Sequence, residues 1–310
     1  MSTGRRVAVT VGLVAVAVLA TVLPAVADDL ESYLAEAEKA EYAGSRIAVS
    51  VWDGNSEVGV YEVAHAGGTT KIGDGTGEAL VGLGKVSVGP DAVAVPQWSS
   101  ATLAERYTEG EPVPVRRLGR DGHLVSVLEG DLVRATIVFD DETGAPLATQ
   151  VYDGDGSLFR YSAMMDFDDA PAIDYASLSG AGSEYDVMVP ETDAALPAGV
   201  AGYVRADSYL APDDTTHTFY SDGLFFFSVF TVTGPVDLDQ FDGARELDAD
   251  GHSYAVMMEP TQVWVTWQRS DTTYVLVGDL PPDHLSEVLT ELPTPDRPNL
   301  LRRIWRGVFG

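Results

Sequence analysis

"FDDETGAPLATQVYDGDGSLFRY", residues 139–161, sets an alternating apolar run, 147–152, between two acidic, Gly-rich clusters. Clusters of this kind suit a calcium loop, a piece of active site or the corners of a sheet. An EF-hand loop needs oxygen ligands at positions one, three and five, Gly at six and a bidentate acid at twelve. Counted from Asp153, position five is Ser157, position six Leu158 and position twelve Met164, with Gly at two and four. The metal pattern fails. The Asp-Gly pairs at 153–154 and 155–156 instead supply the positive φ of a hairpin turn between "TQVY" and "LFRY". The stretch is predicted to be one strand flanked by two turns.

The same grammar extends in both directions. Ile47, Val49 and Val51 alternate with Ala48 and Ser50, and "EVGVYEVAHA", "LVSVLEG", "RATIVFD" and "PLATQVYD" are short apolar runs punctuated by Gly, Asn and Asp. This spells a meander of antiparallel strands as far as about residue 163. Before it, Leu30, Tyr33, Leu34 and Ala37 recur at helical spacing behind Asp28 and Asp29, predicting a helix over 28–41. Residues 166–196 are acidic and rich in Ala, Pro and Gly, and are expected to cross between two domains, with the boundary near 189–196. A second β set follows in "GVAGYVRADSYL", "THTFYSDGLFFFSVFTV" and "SYAVMMEPTQVWVTWQRSDTTYVLVGDL". Pro281-Pro282 then opens a helix with Leu285, Val288, Leu289 and Leu292 on one face.

The ends differ from the middle. Arg5 and Arg6 precede an apolar run, 7–23, and Ala25-Val26-Ala27 is a small-residue cleavage site, so residues 1–27 read as a secretory signal peptide. An uncleaved anchor is the rival reading, because the run approaches the length that spans a bilayer. The chain carries 19 Lys and Arg against 48 Asp and Glu, a formal net charge of −29. Removing residues 1–27 takes away two arginines and no acid, giving −31. Such a surface repels phosphate backbones and excludes nucleic acid as a partner class. Residues 300–310, "LLRRIWRGVFG", form a local basic tail; Arg302, Arg303, Trp305 and Arg306 are candidates to touch a membrane or a partner, against the alternative of a frayed terminus. The chain has no cysteine, which rules out a lipobox, disulfides and thiol chemistry.

No catalytic pattern survives inspection. The segment 71–85, "KIGDGTGEALVGLGK", has Ala79 and Val86 where a phosphate loop needs Gly and Ser or Thr, and is expected to be a flexible loop. His65, His123, His217, His252 and His284 show no metal-ligand spacing, and His284 is expected to be solvated. The acid pairs Asp140-Asp141, Asp168-Asp169, Asp213-Asp214 and Asp248 with Asp250 sit in turn-like contexts and are expected to be solvated. No catalytic, cofactor-binding or metal-binding residue is assigned, and the chain is not expected to be an enzyme. The aromatics carry more information. Phe219, Tyr220, Phe225, Phe226, Phe227 and Phe230 crowd one hairpin around "SDG", with Trp264 on a neighbouring strand. Successive strand residues face opposite ways, so both faces are apolar here. Packing beneath the last helix is one reading, and a surface for a partner is the other.

In order, "YAGSRIAVSVW", "FDDETGAPLATQVYDGDGSLFRYSAM", "LPAGVAGYVR", "FYSDGLFFFSVF" and "YVLVGDLPPDHLSEVL" resemble the RseB/MucB family of extracytoplasmic sigma-factor regulators, across most of residues 40–292. The resemblance implies a mainly β, α+β fold. A large curved open antiparallel sheet, a half-barrel similar to LolA and LppX, would enclose helices over 28–190. A smaller antiparallel domain with a terminal helix would occupy 191–292, with the basic tail at 293–310. It further implies a non-enzymatic regulator that binds a membrane-anchored anti-sigma factor and shields it from proteolysis, or alternatively a carrier of acyl chains in the concave sheet. Partner contact would fall on Phe219, Tyr220, Phe225, Phe226, Phe227 and Trp264. A homodimer is left open.

Overall fold

The computed structural model describes residues 28–66, 68–73, 78–82, 85–87, 103, 105–172, 189–190, 196–210, 215–234 and 244–296. The signal segment, most of the crossing segment, Asp213-Asp214 and the basic tail with Arg302, Arg303, Trp305 and Arg306 lie outside the described residues. Among the described residues, two antiparallel sheets and two long helices make up the fold.

Helix α1 (Asp28–Lys39) is followed by β1 (Tyr42–Trp52), β2 (Asn55–Ala66), β3 (Thr69–Gly73), β4 (Glu78–Gly82) and β5 (Lys85–Ser87). Then come β6 (Thr108–Glu109), β7 (Val113–Arg117), β8 (Arg120–Glu129), β9 (Leu132–Asp140), β10 (Pro146–Tyr152) and β11 (Leu158–Met164). The sheet order is β5-β4-β3-β2-β1-β11-β10-β9-β8-β6, with β7 also on β8, so the sheet is open. Helix α1 buries Leu30, Leu34 and Ala37, one stripe at helical spacing, against Val125, Val127, Ile137 and Phe139. Its Tyr33 ring lies 6.5 Å from that of His123 on β8, while its Glu38 carbonyl oxygen accepts from His65 Nε2 on β2 at 3.1 Å. Those strands stand five spacings apart, about 24 Å in a flat sheet, yet Tyr33 and Glu38 are only about 7.5 Å apart along the helix. The sheet therefore curves around α1. Segment 71–85, expected to be a flexible loop, instead contributes to β3, β4 and β5, because Lys71↔Leu80 and Val81↔Val86 pair as antiparallel neighbours.

The opposite face carries a row of apolar side chains. Val113, Leu124, Val138, Ala148, Ala163, Ile47 and Val60 pair in register across seven strands. The tip of the β7–β8 hairpin folds back over this face: Arg117 Nη2 donates to Tyr161 Oη at 3.1 Å although β8, β9 and β10 lie between them. Ala163 is consequently buried, while Val60 at the far end is 49% exposed.

The stretch 139–161 is β10 and part of β11 between two turns. In the first turn Asp140 Oδ2 accepts from Thr143 N and Oγ1, and Gly144 adopts φ +74°. Asp140 is not the solvated acid that its turn context suggested; it is 2% exposed and paired with Arg120 Nε at 2.7 Å. In the second turn Gly156 has φ +81°, but Gly154 does not have the positive φ expected of it. Gly154 is small for another reason: a Cβ there would sit 2.7 Å from Asp283 Oδ2.

The second sheet holds β12 (Val189–Pro190), β13 (Gly199–Val200), β14 (Tyr203–Leu210), β15 (Thr216–Ser221), β16 (Phe226–Thr233), β17 (Arg245–Ala249), β18 (His252–Met258), β19 (Val263–Arg269) and β20 (Thr272–Gly278). Its order is β12-β14-β15-β16-β20-β19-β18-β17, with β13 also on β14. The final helix α2 (Pro282–Glu291) buries Leu285, Val288 and Leu289 against Phe225, Phe227 and Val265. One apolar cluster runs from Leu30 and Ile137 through Tyr107 to Phe225 and Leu285, so the core is continuous between the sheets.

Candidate functional site

Where the two sheets meet, the chain concentrates its buried charge. Arg106, held by the helical turn at 103–107, donates from Nε to Glu129 Oε1 at 2.6 Å and from Nη1 to the Ala201 carbonyl at 3.0 Å. Arg134 on β9 donates from Nε to Glu129 Oε2 at 2.6 Å and pairs through Nη1 with Asp283 Oδ2 at 2.6 Å. His284 Nε2 lies 3.1 Å from Glu129 Oε2, and its Nδ1 lies 2.7 Å from Tyr203 Oη. Arg106 Nη2, a donor only, also lies 3.0 Å from His284 Nε2, so the guanidinium, the Glu129 carboxylate and the Tyr203 hydroxyl converge on one imidazole. The hydrogen bond from His284, working against burial and helped by Arg106, holds the Glu129 carboxyl well below the usual range. Tyr107 Oη donates to Asp222 Oδ2 at 2.6 Å, extending the network into the β15–β16 turn.

Two further contacts complete the joint. Helix α2 has Pro281 at its N-cap and so no side-chain cap of its own. Asp153, from the β10–β11 turn, supplies the acceptor instead: the Asp283 amide donates to Asp153 Oδ1 at 3.3 Å. A carboxylate there satisfies an orphan N–H and faces the positive end of the helix. Deeper in, Arg160 on β11 donates from Nη1 to the Asp279 carbonyl at 3.1 Å and from Nε to Ser50 Oγ at 2.9 Å. Ser50 Oγ in turn donates to the Pro260 carbonyl at 2.9 Å. Arg160 and Asp279 are both buried, yet the Asp279 carboxylate takes its hydrogen bond from the Phe226 amide at 2.8 Å, and Arg160 Nη2 has no partner among the described residues. On the flank, the Arg245 guanidinium lies 4.2 Å from the centre of the Trp52 ring. Such an arrangement positions two bodies relative to one another; its hydroxyl–imidazole–carboxylate chain, Tyr203–His284–Glu129, lies inside the joint with Tyr203 and His284 buried, and no group of three or more metal-ligating side chains occurs among the described residues.

Residues named from sequence adjoin this joint: the Phe225 ring lies 5.5 Å from that of His284, and the Phe227 ring 5.3 Å from that of Tyr203. Tyr220, Phe225 and Phe227 join the large core beneath α2, whereas Phe219 and Phe226 pack together on the other face, with rings 5.7 Å apart. The alternation read from the hairpin is therefore present, and all five side chains are buried in the chain by itself. Trp264 alone remains partly open. His284, expected to be solvated, is 1% exposed at the centre of the joint; the helical pattern places it at the start of α2 but says nothing of Glu129, 155 residues earlier. Arg106, Arg134 and Arg160 were missed. The available signal was scarcity: in so acidic a chain, arginines inside the strand runs "RATIVFD" and "LFRYSAM" require buried partners.

No family model and no curated protein matches the chain. Solved structures do. The crystal structure of MucB matches with a TM-score of 0.55 and 22% identity, over 86% of this chain and 97% of that one. The complex of Pseudomonas aeruginosa MucA and MucB matches with a TM-score of 0.51 and 19% identity, over 88% of this chain and all of that one. MucB in complex with MucA(peri) gives 0.50 and 20% over the same shares. The chain has the fold of MucB, as the order of its motifs led one to expect.

Proposed function

We propose that this chain is a non-enzymatic extracytoplasmic regulator that binds the exposed part of a membrane-anchored anti-sigma factor. By limiting that factor's proteolysis, it sets sigma-factor-dependent envelope stress transcription. One observation carries the reading: the MucB fold is present over nearly the whole chain, and two of the matching structures hold MucB together with MucA. The class of partner comes from the family resemblance in the sequence. The signal-like pattern at 1–27 supports export, and no helix among the described residues is long and apolar enough to cross a membrane.

Within this reading Trp264 is the proposed contact on the second sheet, and the buried rings of Phe219, Tyr220, Phe225, Phe226 and Phe227 hold that surface in shape. The tail residues Arg302, Arg303, Trp305 and Arg306 are proposed to keep the chain near the membrane. Crosslinking the mature protein to membranes of its source, followed by pull-down, should recover a membrane protein with a cytoplasmic sigma-binding domain; recovery of none sinks the reading.

The curvature of the first sheet around α1 favours a second role, acyl-chain carriage on its concave side. Native mass spectrometry of the purified protein should then show a bound acyl species, and a mass equal to the bare chain would dismiss it.

A further inference from the structure

The joint contains a buried acid and a buried base that do not satisfy one another. Asp279 closes β20 and is 4% exposed; its carboxylate accepts the Phe226 amide. Arg160 reaches in from the first sheet, is 7% exposed, and gives its hydrogen bonds to the Asp279 carbonyl and to Ser50 Oγ, leaving Nη2 unpaired among the described residues. The charged and titratable groups around Asp279 are Arg160 on β11, Asp222 in the β15–β16 turn and Tyr203 on β14. Only the first favours a carboxylate; the second repels it. An ionised carboxyl desolvated with one amide donor and no direct guanidinium bond is poorly held.

We propose that the joint is a proton-operated latch: a proton on Asp279 holds the two sheets together, and its loss lets them part. Opening the joint admits water to Asp279, and relief of its burial, the larger effect, outweighs the withdrawal of Arg160, so the open state prefers the ionised acid. In the closed state burial pushes the Asp279 carboxyl up to about 7, against its ordinary 3.8. A raised carboxyl binds its proton more tightly in the closed form, so closure is favoured as pH falls and opening as pH rises. Between the two values the ratio of open to closed molecules should climb on the order of tenfold per pH unit, and level off above the higher one. Arg160, lowered by burial to about 10, keeps its charge throughout that window.

The chain has no cysteine, so spin labels can be placed without background through Ser56→Cys and Asp271→Cys, both exposed and one on each sheet. Pulsed dipolar distance measurements on the full-length mature protein between pH 5 and pH 8.5 should show a second, longer separation growing with pH. In Asp279→Asn, which keeps the shape and cannot titrate, the separation should stay short and constant. In Arg160→Met, which removes the one favourable charge together with two hydrogen bonds across the joint, the response to pH should persist because Asp279 still titrates. The latch is overturned by a wild-type distance that does not respond to pH. It is equally overturned by an undiminished response in Asp279→Asn or by an Arg160→Met separation that stays short at every pH. Circular dichroism of each variant at pH 5 separates an unfolded variant from an open one.

Discussion

Asp153 and Gly154 show how much one turn can be asked to do. The Asp153 carboxylate caps a helix in the other sheet, and Gly154 leaves room for Asp283 beside it. Replacing Asp153 with Ala should cost about 1 kcal/mol, the usual worth of an N-cap acceptor, and Asp153→Asn should recover most of it in urea denaturation. Gly154→Ala should weaken the same joint by steric conflict, without touching the turn's dihedrals. Gly44 is the stricter case: its φ is +152°, and a side chain there would collide with the Asp166 carbonyl. Gly44→Ala should lower stability by roughly 1–3 kcal/mol, read from the same denaturation curves.

Among the elements, the β15–β16 hairpin is the clearest. Its pairing, Ser221↔Phe226 to Thr216↔Thr231, and its Asp-Gly turn with Gly223 at φ +94° follow directly from "FYSDGLFFFSVF". What the pattern could not reveal is that both faces are covered. Phe227 is fully buried against Tyr203 and Tyr220, with ring centroids at 5.3 and 4.8 Å. Phe227→Ala should therefore cost roughly 3–5 kcal/mol. Phe226→Asp should unfold the second sheet rather than merely weaken partner capture. Trp264→Ala should cost less stability and, under the proposed function, reduce recovery of the partner. Thermal melts beside the pull-down distinguish these outcomes.

At the scale of the molecule, the joint contains carboxyls with opposite responses to pH. Glu129, held low by His284, adds stability above its ordinary value of 4.5 and loses it as pH falls further. Asp279, raised by burial, works against the closed joint progressively from its ordinary 3.8 up to about 7. The two together make the joint firmest just above the ordinary carboxylate range and loosest above neutrality. The advantage of wild type over Glu129→Gln in denaturation should accordingly shrink as the pH is lowered below 4.5. At pH 7, losing Glu129 leaves Arg106 and Arg134 without their shared carboxylate, at a cost on the order of 3 kcal/mol.

Most of the described strands and turns and the two long described helices were legible in the sequence, the strands at 69–87 being an exception, because alternation, Asp-Gly turns and helical spacing are local codes, each written within about ten residues. The same codes excluded a calcium loop at 139–161 and left that stretch as a corner of the sheet. Its partner was not legible. Arg106 meets His284 across 178 positions and Arg160 meets Asp279 across 119, and no periodicity links residues so far apart. Their meeting depends on the curvature of the first sheet around α1 and on the bulges that set its register. Local chemistry determined which elements this chain forms; only the closing of long loops around a curved sheet decided which buried charges face one another.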